Sequence, residues 1–85
     1  YHEAVLQIRG PNAVRILNKA KKMLPENVIA VAENADSGYN LKLTDKKIAA
    51  RAVKVLREHF TIKDSYKLVG EKKGKRLYRN FYAIR

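Results

Sequence analysis

Residues 28–44 read VIAVAENADSGYNLKLT, and this stretch decides the fold. Val28 to Glu33 is β-branched and alanine-rich, which predicts a strand. Asn34-Ala35-Asp36-Ser37-Gly38 is a turn cluster, with Gly38 the residue free to take a positive φ. Tyr39, Leu41 and Leu43 then alternate with Asn40, Lys42 and Thr44, the period of a half-buried strand. Two strands joined by so short a turn make a hairpin.

Helical patterns flank this hairpin on both sides. Upstream, Ala13, Ile16, Leu17, Ala20 and Leu24 recur at three- and four-residue steps, with Arg15, Asn18, Lys19 and Lys22 on the other face. Pro25 ends that helix. Gly10-Pro11-Asn12 separates it from an earlier strand in which Ala4, Leu6 and Ile8 alternate with Val5, Gln7 and Arg9. Downstream, Thr44-Asp45 supplies an N-cap. Ile48, Ala49, Ala52, Val53, Leu56 and Phe60 then form the inner face of a second helix, and Lys47, Arg51, Lys54 and Glu58 its outer face. Two further strands, Ser65 to Val69 and Leu77 to Ile84, close the chain around a basic turn, Gly70-Glu71-Lys72-Lys73-Gly74-Lys75-Arg76. The order β-α-β-β-α-β-β predicts an α+β, two-layer sandwich of the split βαβ (ferredoxin-like) type with a terminal hairpin.

The chain has 85 residues, enough for a single domain with a thin core. It opens on Tyr1, which fits a domain taken from a longer chain. Nineteen Lys/Arg against eight Asp/Glu give a net charge of +11, which favours a polyanionic partner. Cysteine is absent, so disulfides and thiolate metal sites are excluded within these residues. The longest apolar run, Val28 to Ala32, is far too short to span a bilayer.

Charge is concentrated near the carboxyl end. Residues 61–85 carry eight Lys/Arg against Asp64 and Glu71 alone. The terminal hairpin is therefore the candidate polyanion contact, with Lys72, Lys73, Lys75, Arg76 and Arg79 as phosphate ligands and Lys67 and Arg9 in a second rank. Tyr66, Tyr78, Phe81 and Tyr82 flank it. Aromatics so placed can stack on unpaired bases, but alternation at these positions reads first as core filling.

Catalysis has little support. His2 and His59 are far apart, no Ser is paired with a base in a recognisable motif, and the aspartates lack metal-ligand spacing. Neither a metal nor a cofactor is expected. Small basic split-βαβ proteins include the acylphosphatases, and Arg9 and Asn34 are the residues that would have to serve such a reaction. The glycine-rich phosphate cradle is missing, however. A protein-docking scaffold without direct RNA contact is the other alternative.

Several segments carry a family resemblance together. Glu3-Ala4-Val5-Leu6-Gln7-Ile8-Arg9, Asp36-Ser37-Gly38-Tyr39-Asn40-Leu41, Ser65-Tyr66-Lys67-Leu68-Val69-Gly70 and Gly74-Lys75-Arg76-Leu77-Tyr78-Arg79 stand in an order and spacing similar to the archaeal branch of the large-ribosomal-subunit export adaptor family, Nmd-three. The resemblance implies a segment downstream of that family's CxxC zinc motifs. It also implies a non-catalytic, cytoplasmic role in maturation or quality control of the large subunit. The partners would be ribosomal RNA, ribosomal proteins or other domains of the parent chain, with no membrane involved. The sequence departs from the family pattern at Asn40, where an acidic residue is usual.

Overall fold

A computed structural model describes residues 2–85. Each apolar period becomes an element: β1 (Ala4–Arg9), α1 (Ala13–Met23), β2 (Ile29–Ala35), β3 (Gly38–Leu43), α2 (Lys46–Leu56), β4 (Ile62–Lys72) and β5 (Lys75–Ile84). The strands form one five-stranded sheet in the order β2-β3-β1-β5-β4. Both helices lie on one face of it, so the architecture is the expected two-layer α+β sandwich.

The core follows from alternation. Ala4, Leu6 and Ile8 of β1, Leu41 and Leu43 of β3, and Tyr82 and Ile84 of β5 all point to the helix side. Ala13, Ile16 and Ala20 of α1 and Ala49, Ala52, Val53 and Leu56 of α2 meet them. The small alanines let both helices sit close to the sheet. The largest fully buried side chains are Leu6, Ile8, Ile16, Leu41, Leu43, Leu56 and Ile84. Each contributes about 1.5–3 kcal/mol of burial. Asp45 caps α2 as the sequence suggests, its Oδ1 accepting from the amides of Lys47 (2.8 Å) and Ile48 (3.1 Å). That helix ends at Leu56, not at Phe60. Phe60 nevertheless packs on the core from the turn that follows.

The terminal hairpin enters the sheet in an unexpected place. In a four-stranded split βαβ sheet the strand after α2 lies beside β1. Here β4 runs one position further out, and β5 fills the slot between them, parallel to β1 and antiparallel to β4. Burial explains the choice. β5 brings Tyr82 and Ile84 to the core, whereas β4 is exposed from Lys63 to Lys72 and suits an edge.

Two turns differ from expectation. At the β2–β3 turn it is Ser37 that takes the positive φ, 64°. Gly38 is needed for a different reason: a Cβ there would sit 1.8 Å from the Ile8 carbonyl oxygen, so the close pairing of β1 and β3 at that end leaves no room for a side chain. At the terminal hairpin the loop is Lys73-Gly74 alone, with φ of 51° and 77°, as in a type I′ turn. The rest of the basic segment 70–76 lies in the paired strands.

Candidate nucleic-acid interface

The register sets the geometry of the basic hairpin. β1 pairs with β5 only from Ala4↔Asn80 to Ile8↔Ile84, while β4 pairs with β5 as far as Lys72↔Lys75. Beyond Asn80, therefore, the two strands have no third neighbour. They run out as a two-stranded arm of about six residues a side, roughly 20 Å at 3.4 Å per residue. The overall dimensions of 42 × 24 × 23 Å reflect this projection. The strand pairing slips at Val69, a bulge that adds local twist to the arm.

The tip is strongly cationic. Lys72, Lys73, Lys75 and Arg76 are all exposed, and among the described residues none of their side chains makes a hydrogen bond or ion pair. Glu71 lies across from Arg76 in the ladder, but the two are not bonded. The ion pairs formed elsewhere join Lys42 to Glu33 (3.5 Å) and Arg57 to Asp64 (2.7 Å), which leaves Glu71 as the acid beside the tip.

The remaining candidates occupy other places. Arg79 stands at the root of the arm, where its Nε donates to the His2 carbonyl at 3.0 Å. Lys67 pairs with it in the ladder and holds its ammonium 5.5 Å from the centre of the Phe81 ring. Arg9 lies at the opposite end of β1 from the arm. Its Nη1 donates to the carbonyls of Ile8 and Tyr39, both at 2.9 Å, and its Nη2 to Asn40 Oδ1 at 2.9 Å. The guanidinium thus ties β1 to β3. Asn34 pairs with Tyr39 and so sits on the helix side of the sheet, whereas Arg9 sits on the open side. The structure does not bring together the two residues an acylphosphatase-like site would need.

The open face of the sheet is basic too. Lys42, Lys63, Lys67, Arg79 and Phe81 share it by strand alternation, around Val5, which is only 4% exposed although no helix covers it. His2, beside this face, has its pKa lowered from 6.5, first by partial burial and then by the positive charges of Arg79 and Lys42.

The aromatics divide. Tyr82 is buried in the core and Phe81 is half-covered by Lys67, but Tyr66 and Tyr78 are 71% and 38% exposed. Core filling is therefore the wrong reading for these two. They lie edge to face on one side of the arm, ring centres 5.5 Å apart, with Leu68, 52% exposed, opposite Tyr78. The cause is strand length, which shows only in the structure. β4 and β5 have eleven and ten residues against six in β1, so part of their apolar row must overhang the sheet.

Among the described residues no helix is long and apolar enough to cross a membrane, and no cluster of His, Asp and Glu is arranged to hold a metal ion. No curated protein matches the chain. A protein family does match: the second domain of NMD3, over residues 1–85. The match spans the split βαβ body and its projecting cationic arm alike, and the chain belongs to the NMD3 family.

Proposed function

We propose that this domain is a non-catalytic module through which an adaptor of the large ribosomal subunit holds ribosomal RNA, with the tip of the β4–β5 arm against phosphates. Family membership supplies the partner class: NMD3-family proteins are adaptors of the large ribosomal subunit. The observation that carries the finer reading is the arrangement of Lys72, Lys73, Lys75 and Arg76, exposed at the end of an arm and, among the described residues, ion-paired to no acid, although Glu71 stands across from Arg76. Cations held clear of the body in this way neutralise phosphates and release counterions. Such contacts position a protein without reading sequence, so specificity would come from the shape of the ribosomal surface.

The test is sedimentation of the chain with purified large and small subunits at moderate salt. Association selective for large subunits, lost when the four tip cations are replaced by glutamine, is the expected result. Particles that bind the tip variant as well as the original chain would refute the role of the arm.

A further inference from the structure

The face of the arm opposite its basic row has no structural task. In the body of the domain, the same side of β5 carries Tyr82 and Ile84 into the core. Past Asn80 the helices end and that side is open. Tyr66, Leu68 and Tyr78 continue the apolar row into solvent, with Arg76 next in line toward the tip and Glu71 across from it. Exposed rings gain little from burial, and an edge-to-face pair leaves ring faces open to a planar ligand.

We propose that this face binds unpaired nucleotides, Tyr66 and Tyr78 stacking on bases while the tip cations hold the adjoining phosphates. The proposal deepens the phosphate reading above and rests on it. Two observations choose the occupant. First, residues 65–79 carry Lys67, Lys72, Lys73, Lys75, Arg76 and Arg79 against Glu71 alone, so the arm that bears the apolar patch is net positive and suits a polyanion, with Arg76 on the patch's own face and the other cations on the opposite face or at the apex. Second, the patch is aromatic and flat. A polyanion that also presents flat apolar faces is a nucleic acid whose bases are unstacked. A duplex hides those faces between neighbouring pairs, whereas loops, bulges and single strands display them. Arg76 lies two residues from Tyr78, roughly 7 Å along the strand, so a base on the ring and a phosphate at the tip can belong to one short segment of chain.

The test uses the 85-residue chain and three fluorescently labelled RNAs about 12 nucleotides long, within the range of sites that stacking proteins cover. One is an unstructured strand, one is the same strand with its bases removed, and one is a duplex. Binding is read by anisotropy across a salt series for the original chain, for Tyr66→Ala with Tyr78→Ala, and for Tyr66→Phe with Tyr78→Phe. The expected result is that the intact strand binds about tenfold or more tighter than the abasic strand. The alanine pair removes that difference without changing the salt slope, and the phenylalanine pair keeps it. Because both tyrosines lie outside the core, unfolding is checked by circular dichroism, and Tyr66→Ala alone repeats the test at the more exposed position. Equal binding of intact and abasic strands with a steep salt slope refutes stacking and leaves the phosphate contact standing. A difference that survives the alanine pair places base recognition elsewhere on the chain and also refutes stacking on this face. No binding to any of the three RNAs overturns both readings.

Discussion

The salt dependence of RNA binding is the sharpest consequence of the arm. Consider replacing Lys72, Lys73, Lys75 and Arg76 together by glutamine. None of the four touches the core or holds a partner, so the melting temperature should stay within a degree or two. Each cation that meets a phosphate on a single strand contributes about 0.7 to the slope of log affinity against log salt. Strand alternation puts Lys72 and Lys75 on one side of the arm and Arg76 on the other, with Lys73 at the apex. One RNA segment therefore engages between two and four of them, and the slope should fall by roughly 1.4–2.8. Between about 50 mM and about 200 mM salt, the upper figure makes the original chain lose about fifty times more affinity than the variant. The control removes the same charge from the helices, with Lys21, Lys22, Lys47 and Lys54 changed to glutamine. That variant shares the weaker long-range field but keeps the tip. Anisotropy titrations at four or more salt concentrations distinguish the two. A fall in slope below about 0.5 for the tip variant, or equal falls in both variants, would refute the claim that the arm is the contact.

Other consequences concern the fold and its charges. Gly38→Ala drives a methyl into the Ile8 carbonyl, at 1.8 Å before relaxation, and should cost about 3 kcal/mol. For a domain of this size that is roughly a 10–20 °C drop in melting temperature by circular dichroism. His2→Gln tests the combined effect of burial and neighbouring positive charge at the arm root. The folded pKa of His2 lies below its unfolded value of 6.5, so the unfolded chain binds the proton more readily and stability falls as pH drops through that value. The glutamine variant should lose less stability than the original chain in urea titrations run at about pH 8 and about pH 5. Lys73→Asn relieves a left-handed lysine in the type I′ turn, and should raise hydrogen-exchange protection at the arm tip while weakening RNA binding two- to threefold at about 150 mM salt.

The central hairpin and both helices are legible in the sequence because each has a buried side and a solvent side. Alternation at Tyr39, Leu41 and Leu43, and helical spacing from Ile48 to Leu56, record that division directly. The terminal hairpin is less legible, for physical reasons. From Gly70 onward β4 has no apolar period to display, so Gly70 to Arg76 reads as one long turn although only Lys73 and Gly74 form it. The position of β5 inside the sheet is a tertiary choice made by Tyr82 and Ile84, which local pattern does not encode. Tyr66 and Tyr78 continue the alternation of a buried strand, yet no helix reaches them. The cations at the tip were visible from composition alone. Their separation from Arg9, which the pattern grouped with them, appears only when the guanidinium is seen bridging β1 and β3.

The arm is also where the chain departs most from what stability alone would select. Lys73 holds a φ of 51° in a turn that Asn would occupy more easily, at a cost of order 1 kcal/mol. Tyr66, Leu68 and Tyr78 place apolar surface in water, and four neighbouring cations repel one another with no acid bonded to any of them. A free two-stranded ribbon is marginal by itself, and a body of this size has little stability to spare. The rest of the domain keeps to local rules: its core positions are apolar, α2 is capped by Asp45, and the one side of the sheet without helices still covers Val5. Departures gathered in one projecting element and absent elsewhere are the mark of a site shaped by its partner. Here each of them fits the same partner, since the charges answer phosphate and the exposed rings answer bases. On that shared fit rests the proposal that the arm, and not the helix faces with their ordinary solvating lysines, is the surface this NMD3-family domain offers to RNA.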